Sequence, residues 1–556
     1  MALKRRDLFY HLAAAGLTLP HANALLTSGW AGTAKGRKRA MPTPEQQAWQ
    51  DLELGMFVHF APNTWQDVES DDLSTPLAKI NPVGLDTDQW AETAVSLGAR
   101  YVVFVAKHQG GFCMWQTHTT DYGIRNTPWK DGKGDVLAEI VESCRRHGLK
   151  LGVYVCPRDD HFGAGTGGIC KTAELQVRYD VMYREQLTEV FSRYGELVEV
   201  WFDGSTATPV GDLLKRYQPH AMVFQGPQAT IRWVGNEDGF APYPCWNGID
   251  AADAKKGTAT ALDGDPDGSA WLPNEVDVSI RRPDWFWHTD NEKKVLSVDQ
   301  LLSVYYRSVG RGAQLLLNIP ANRDGLLPAT DCLVAAGLGR ELKRRFGSPV
   351  ASGAGSGRSV VLKLAKPERI DTVVLEEQIA LGERVRAYRL EGLVEGAWKL
   401  LAEGSAIGHK RIQPVAPVVL LAVRLIATEA VGRPSIRTFA LFDTGTKPPA
   451  DWDAVSSLWS SNLVGSWADG AFSLDLTKEI KVAAQYALRF RPQQGAVVGF
   501  RDVVLELGGA ANAGLVRVSR TKHDEILLDI TGLDRSIRVR GRVDGAGSGS
   551  VLLERR

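Results

Sequence analysis

The carboxylate of Asp203 stands where a parallel β-strand could present it to a ligand. It follows the apolar run Val200-Trp201-Phe202 and precedes Gly204, whose missing side chain lets a ligand approach closely. Hydrolysis of a glycoside needs a carboxyl on each side of the bond that breaks, about 5–5.5 Å apart when configuration is retained. Asp203 is therefore a candidate nucleophile, although an aspartate that caps a helix or closes a turn would look the same in this segment.

Histidine and aromatic side chains occupy comparable positions elsewhere. His59 and His108 each follow an apolar run, and Tyr154 and Trp201 lie within such runs. Histidine can hydrogen-bond a ligand and an aromatic ring can cover an apolar ligand face, although a structural histidine and core packing would explain the same residues. Four histidines could be considered as metal ligands: His59, His108, His118 and His161. None forms a close pair of the H-E-x-x-H kind, so no metal site is predicted.

Short apolar strands alternate with amphipathic helices through the first two thirds of the chain. The strands are predicted at residues 55–60, 101–107, 149–156, 197–203, 222–225 and 314–319. The helices are predicted at residues 88–97, 135–147 and 174–194, with a last one ending near residue 346. This alternation predicts an α/β fold of the (β/α)8-barrel type, in which active sites lie at the carboxyl ends of the strands. Asp203, His59 and His108 should therefore meet at one rim.

The pattern changes after residue 347. Residues 348–357 are rich in small residues and predict a linker, and short alternating strands at 359–364, 372–376, 387–393 and 418–426 predict a β-sandwich. Residues 444–451 predict a second linker, and strands at 486–490 and 503–507 indicate another β-rich module. The predicted domains are a barrel over 40–347, a β-sandwich over 348–445 and a β-rich domain over 450–556.

The balanced charge of the chain gives no sign of a strongly charged binding partner. The chain has 65 basic and 65 acidic residues, so nothing predicts binding to nucleic acid or to an anionic membrane. No stretch after the N-terminus approaches the roughly 18 apolar residues that span a bilayer. The six cysteines form no C-x-x-C pair and are interpreted as buried thiols, with one disulfide left open. A neutral partner such as a sugar fits this balance, and the oligomeric state cannot be predicted.

The N-terminus has the pattern of an export signal. Basic residues 4–6 precede a short apolar stretch and the small-residue motif Ala22-Asn23-Ala24. The Arg5-Arg6 pair followed by Leu8-Phe9 is similar to a twin-arginine signal. Residues 1–24 are therefore predicted to direct the protein to the periplasm or the outside of a bacterium, the alternative being a disordered basic tail.

Several longer motifs resemble glycoside hydrolase family 29, the α-L-fucosidases. They occur in the family's order over about residues 45–346, at positions 55–59, 101–112, 200–204, 231–237, 274–281, 285–288 and 310–320. Segments 232–237 (RWVGNE) and 275–280 (EVDVSI) look most like the subgroup that acts on α-1,3 and α-1,4 linkages, in which a discoidin-like β-sandwich, here over residues 348–445, also usually follows the barrel. The resemblance implies a retaining exo-glycosidase that removes terminal α-L-fucose from oligosaccharides or glycoconjugates and needs no cofactor.

The resemblance also implies roles for individual residues. Asp203 would be the nucleophile and Glu237 the acid/base, with Glu275 as the competing acid/base candidate. The residues implied in substrate binding are His59, Glu69, His108, Gln109, Tyr154, Trp201, Arg232 and Glu275.

The chain departs from the family pattern at three places. Gln109 replaces a sugar-contacting histidine, Ser70 replaces a tryptophan, and the turn at residues 282–284 is altered. These changes leave open an α-glycosidase acting on another L-galacto or deoxy sugar, and a non-catalytic carbohydrate-binding homologue. A metal-dependent hydrolase that uses the histidines is a third alternative, distinguished by its sensitivity to a chelator.

Overall fold

The computed structural model describes residues 39–454, 462–468, 470–476, 485–492, 499–507, 516–522, 525–530, 537–544 and 549–555. The predicted export signal at residues 1–24 lies outside this part of the chain. Among the described residues, no helix combines the length and the apolar character needed to cross a bilayer.

Eight parallel strands form the predicted barrel. They are β1 (Leu54–Val58), β2 (Tyr101–Lys107), β3 (Lys150–Val155), β4 (Glu199–Trp201), β5 (Met222–Phe224), β6 (Arg232–Trp233), β9 (Asn274–Ser279) and β10 (Gln314–Asn318). Strand β1 pairs with β2 on one side and with β10 on the other. A single bridge between Phe224 and Ile231 joins the two ends of the sheet, so the barrel is nearly closed. The predicted fold class is confirmed.

Helices surround these strands. The longer ones are α1 (Pro44–Gln50), α3 (Thr87–Leu97), α4 (Val136–His147), α5 (Ala173–Arg193), α6 (Gly211–Tyr217), α8 (Val298–Arg307) and α9 (Ala329–Phe346). Short helices α2 (Asn63–Gln66) and α7 (Ala251–Ala254) and the hairpin of β7 (Gly248–Ile249) and β8 (Ala270–Trp271) lie in loops. The sequence defines α4 well, because Asp135 caps its first turn and Gly148 ends it with φ 68°.

Antiparallel strands follow the barrel. They are β11 (Ala351–Ser356), β12 (Ser359–Glu377), β13 (Val385–Val394), β14 (Ala397–Gly404), β15 (Arg411–Ala430) and β16 (Ser435–Phe442). The two long strands shift register, and their separate halves pack on one hydrophobic core, which is the layered arrangement predicted as a β-sandwich.

The structure corrects several details of this region. The predicted linker at 348–357 contains β11, and the predicted strands at 359–364 and 372–376 are parts of β12. The polar run at residues 365–369 resembles a turn in the sequence, but it lies where β12 shifts register against β15. Strands β14 and β16 were not predicted.

A second antiparallel sheet occupies the described part of the C-terminal segment. Its strands are β17 (Asn462–Ala468), β18 (Ala471–Asp475), β19 (Gln485–Pro492), β20 (Gly499–Leu507), β21 (Val516–Lys522), β22 (Glu525–Ile530), β23 (Ile537–Asp544) and β24 (Gly549–Arg555). Their inward apolar side chains form a separate core, in keeping with the predicted β-rich character.

Candidate active site

A pocket of about 360 Å³ opens at the carboxyl ends of the barrel strands. It is lined by Phe57, His59, Glu69, Ser70, His108, Gln109, Tyr154, Trp201, Asp203, Glu237, Asp277, Pro283, Trp285 and Phe286. Its size lies within the range of small-molecule sites. Eight of the ten predicted site residues lie here, because the ends of parallel strands meet at one rim of a barrel.

Asp203 follows β4 and receives two hydrogen bonds on the same oxygen. The hydroxyl of Tyr154 donates to Asp203 Oδ2 at 2.8 Å, and the amide of Gln109 donates to it at 3.2 Å. Arg158 in turn donates to Gln109 Oε1 at 3.3 Å. Donors of this kind stabilise an ionised carboxylate and fix its direction, as a nucleophile requires.

Glu237 lies in the loop that follows β6. The indole of Trp285 donates to Glu237 Oε2 at 3.2 Å. The residue retains solvent access, but its carboxyl lies among pocket side chains, and this burial raises its pKa. Trp285 and Arg282 lower the pKa in part, while Asp203 and Asp238 raise it further. A raised pKa favours the protonated form, which a general acid requires.

The two pocket histidines are uncharged. Burial lowers the pKa of His59 well below its usual value, and it lowers the pKa of His108 to about 3. Nδ1 of His59 is 2.8 Å from the side-chain oxygen of Asn318, whereas Nδ1 of the buried His108 has no partner among the described residues. Neutral imidazoles can both donate and accept, which suits the hydroxyl groups of an uncharged ligand.

Aromatic rings form one wall of the pocket. Phe57 packs against Trp201 at 5.0 Å between ring centroids, and Trp201 stacks on Phe224 at 3.5 Å. His59 lies 5.1 Å from Trp285 by the same measure. Such a wall buries the apolar face of a sugar while leaving its hydroxyl groups to polar partners.

Glu69 belongs to a hydrogen-bonded group with the loop that carries Trp285 and Phe286. The backbone N–H groups of Trp285 and Phe286 donate to its carboxyl at 2.8 and 3.4 Å, and His288 lies 2.9 Å from it. Burial raises the pKa of Glu69. These contacts engage both carboxyl oxygens of Glu69 and hold the group against the loop at the side of the pocket.

One group of side chains could hold a metal ion. Possible ligand atoms of Glu69, Asp284 and His288 lie within 4.8 Å of one another. The ammonium of Lys294, however, lies 2.6 Å from Asp284. A cation would have to displace it or bind beside a positive charge.

Glu275 and Arg232 lie away from the pocket. Glu275 is fully buried in the barrel, where Tyr101 donates to it at 3.3 Å. Strand β9 rises about 3.3 Å per residue, so Glu275 lies roughly 7 Å below Asp277, which reaches the pocket. The prediction that Glu275 contacts a ligand is therefore corrected by its depth.

Arg232 is buried on another side of β6. Its guanidinium donates to Asn274 at 2.9 Å and to the carbonyl of Trp246, which ties β6 to the loop before β7. Alternation along the short strand turns its side chain away from the pocket that the residues after the strand enter. The prediction that Arg232 lines the pocket is corrected accordingly.

Four lining residues were not predicted as site residues: Phe57, Asp277, Trp285 and Phe286. Ser70 and Pro283, which also line the pocket, lie at the predicted departures from the family pattern. A signal existed for Asp277, because Glu275, Asp277 and Ser279 alternate along an otherwise apolar strand and must share a face. Asp277 accepts a hydrogen bond from Trp233 at 2.6 Å. Burial raises its pKa well above the usual value, and Glu237 raises it further. The loop residues gave no comparable signal.

A barrel with a carboxyl that accepts two hydrogen bonds, a second carboxyl of raised pKa and neutral polar side chains in one pocket has the parts of a glycoside hydrolase. The α-L-fucosidase family profile matches residues 65–345. α-L-fucosidase 1 of Arabidopsis thaliana is 31% identical over 455 residues, which cover 72% of this chain and 87% of that protein.

Solved structures agree. A family 29 glycoside hydrolase from an unknown rumen bacterium is 26% identical with a TM-score of 0.68, covering 93% of this chain and 96% of that one. A Ruminococcus gnavus family 29 fucosidase, solved with fucose, is 25% identical with a TM-score of 0.65, covering 76% and 98%. The protein is a glycoside hydrolase. It belongs to the α-L-fucosidase family.

Proposed function

We propose that the enzyme removes terminal α-L-fucose by double displacement, with Asp203 as nucleophile and Glu237 as acid/base. The observation that carries this proposal is the presence of both carboxyls in one pocket, in contrasting environments. Tyr154 and Gln109 donate to Asp203, whereas burial raises the pKa of Glu237. A retaining glycosidase needs one carboxylate that attacks as the nucleophile and one carboxyl that carries a proton for the leaving group.

In the first step, Asp203 forms a bond to the anomeric carbon as the bond from that carbon to the leaving oxygen breaks. Glu237 transfers its proton to this oxygen, leaving a glycosyl ester on Asp203. In the second step, ionised Glu237 takes a proton from water, whose oxygen displaces Asp203 from the same carbon. Two inversions give net retention, and His59 and His108 bind the sugar hydroxyls throughout.

The nucleophile is tested by Asp203→Gly with sodium azide. Without the carboxylate we expect turnover of an aryl α-L-fucoside to fall by roughly 10⁴-fold or more, since nucleophilic catalysis is lost. Azide should then restore activity and give β-L-fucosyl azide, identified by proton NMR. Substantial turnover by Asp203→Gly without azide would rule out this nucleophile.

The acid/base is tested by Glu237→Ala beside Glu275→Ala. Loss of the proton donor should lower kcat/KM by roughly 10²- to 10⁴-fold for a poor leaving group, and far less for dinitrophenyl fucoside, which leaves without protonation. Only Glu237→Ala should show this dependence. The same dependence in Glu275→Ala alone would assign the role to Glu275.

We further propose α-1,3 and α-1,4 fucosyl linkages as substrates. The support is the likeness of segments 232–237 and 275–280 to the subgroup with this preference, and the pocket position of Glu237 and Asp277 from these segments. Lewis-type trisaccharides, α-1,2- and α-1,6-linked fucosides and α-L-galactosides form the test panel. Preference for an α-L-galactoside would favour the alternative of another L-galacto sugar, and hydrolysis of none would favour a carbohydrate-binding homologue.

We also propose export of the protein. The support is the basic, apolar and small-residue pattern of residues 1–24. Cell fractionation of the full chain and of a chain lacking residues 1–24 tests the proposal, which fails if both remain in the cytoplasm.

A further inference from the structure

The loop that carries Glu237 has little regular structure of its own. It leaves β6 at Trp233 and turns at Gly235 and Gly239, whose φ angles are 97° and 70°. Within the loop, Asn236 donates to the carbonyl of Phe240 at 2.8 Å. A general acid must be held near the leaving oxygen, so contacts from outside the loop have to restrain it.

Arg282 supplies such contacts from across the pocket rim. Its guanidinium donates through one nitrogen to the backbone carbonyl of Glu237. Its other terminal nitrogen lies 2.5 Å from Asp238 Oδ1, and the two side chains are 15% and 10% exposed. One planar group therefore holds two successive residues of the loop, a geometry that a lysine could not reproduce.

The turn that presents Arg282 is itself anchored. The preceding residue, Arg281, is fully buried and forms two hydrogen bonds of 2.8 Å with Asp331 in α9. It also donates to Asn291 at 2.7 Å. This network fixes the backbone next to Arg282 to the barrel wall. Through Arg282, the loop that carries Glu237 is therefore anchored to a rigid element.

We propose that Arg282 is a positioning residue that holds the Glu237 loop in the orientation needed for proton transfer. The inference rests on the proposed acid/base role of Glu237 and explains one of the departures from the family pattern, the altered turn at residues 282–284. Arg282 acts through Glu237 and is not required to touch the substrate.

The main test compares kcat/KM of Arg282→Gln for an oligosaccharide and for dinitrophenyl fucoside. Misplacement of the acid should lower kcat/KM for the poor leaving group by roughly 10- to 100-fold. The activated substrate should change by less than about threefold, because its departure needs no proton. Equal losses on both substrates, or no loss, would overturn the proposal.

The pH profile provides a second readout. The positive charge of Arg282 lowers the pKa of Glu237, so its removal should move the basic limb of kcat/KM to higher pH. Arg282→Lys keeps the charge but lacks the planar fork, so its basic limb should stay near the wild-type position while the leaving-group effect persists. If the basic limb of the kcat/KM profile did not move in Arg282→Gln, the assigned contact between Arg282 and the Glu237 loop would be contradicted.

Arg323→Gln is the matched control. Arg323 lies in the loop after β10, where it pairs with Asp67 at 2.8 Å and donates to the carbonyl of Thr64 at 3.0 Å. It should show neither the leaving-group dependence nor the pH shift. If Glu237→Ala also lacks leaving-group dependence, the proposed function fails; if only Arg282→Gln lacks it, this inference fails alone. Arg282→Lys keeps the test available should Arg282→Gln fold poorly.

Discussion

Asp203 and Glu237 differ in what surrounds their oxygen atoms. Two neutral donors, Tyr154 and Gln109, point at one oxygen of Asp203. Within the described ranges, the carboxyl of Glu237 accepts one hydrogen bond, from the indole of Trp285, and burial raises its pKa. One carboxyl is thus held by hydrogen-bond donors and the other favours its proton, a division that follows from local contacts.

The role of Gln109 can be measured through its hydrogen bond to Asp203. Gln109→Leu should lower kcat/KM by roughly 10- to 100-fold, because a hydrogen bond to a charged group contributes about 1.5–3 kcal/mol. Gln109→His restores the family's residue and a donor, and should retain more activity. The measurement is kcat/KM for an aryl α-L-fucoside, with Tyr154→Phe as the matched loss of the other donor. More than half of wild-type activity in Gln109→Leu would show that its contact with Asp203 is dispensable.

At the scale of elements, a carboxyl pair in the barrel supports the pocket wall. Trp201 and Trp49 donate their indole N–H groups to Glu199, the latter at 2.8 Å. Burial raises the pKa of Glu199 to about 7; burial and the neighbouring Glu199 raise that of Glu275 well above its usual value. Glu275 Oε1 finds no hydrogen-bond partner among the described residues, and the raised pKa favours its protonated form beside Glu199. Glu199 itself supports Trp201 through its contact with the indole.

This pair predicts a stability that depends on pH. A carboxyl with a raised native pKa contributes fully below its unfolded value of about 4.5, and this contribution is lost as pH rises through the native pKa. Glu275→Gln mimics the protonated form and removes this loss. As pH rises above the unfolded value, the variant should therefore gain stability relative to wild type, by up to about 1.4 kcal/mol per pH unit until the native pKa is passed. Urea unfolding at a series of pH values measures the difference in unfolding free energy. Unfolding free energies that change with pH in parallel for the two proteins would contradict a raised native pKa of Glu275. Glu395→Gln at an exposed turn serves as control.

At the scale of the molecule, the sheet of β11–β16 packs against the end of the barrel opposite the pocket. His409 lies 2.9 Å from Asp51, and Arg437 donates to the same oxygen at 2.6 Å, just before β1 begins. The segment predicted as a second linker is also held: Arg344 donates to the carbonyl of Thr444 at 2.7 Å, and Asp451 pairs with Arg307 at 3.4 Å. The sheet thus supports the barrel away from the reaction.

The contact at Asp51 can be tested through acid stability. Burial opposes ionisation of Asp51, but His409 and Arg437 outweigh it and lower the pKa to about 2. Its contribution is present above the unfolded value of 3.8 and is lost as pH falls towards 2. Asp51→Asn should lower the unfolding free energy at neutral pH by only about 1 kcal/mol, because the side chain is partly exposed and solvent screens it.

Denaturant unfolding between pH 2 and pH 7 measures this effect. The gap between wild type and Asp51→Asn should close at the acid end, while kcat at neutral pH stays the same because the pocket is at the other end of the barrel. Asp290→Asn, at an exposed loop position, is the control. If the difference in unfolding free energy between the two proteins stayed constant across this pH range, ionisation of Asp51 would make no contribution to stability.

The sequence determined the barrel and much of its rim. Strand periodicity identified β1 to β5 and β10, and strand ends identified Asp203, His59 and His108 as neighbours, because parallel strands in a barrel all end at one rim. The β-rich modules followed from alternation alone. Their exact strands did not, since β12 and β15 depend on pairing across the sheet, with Pro367 accommodated at a register shift.

Only the tertiary structure separated Glu237 from Glu275 and removed Arg232 from the pocket. Both glutamates lie in family-like motifs, but Glu275 lies in a strand and Glu237 in the loop beyond one. A difference in depth of a few residues decides whether a carboxyl meets solvent and ligand or another buried carboxyl. The contact between Arg282 and the Glu237 loop joins residues 45 positions apart, and such proximity arises from closure of the barrel, which local pattern does not encode.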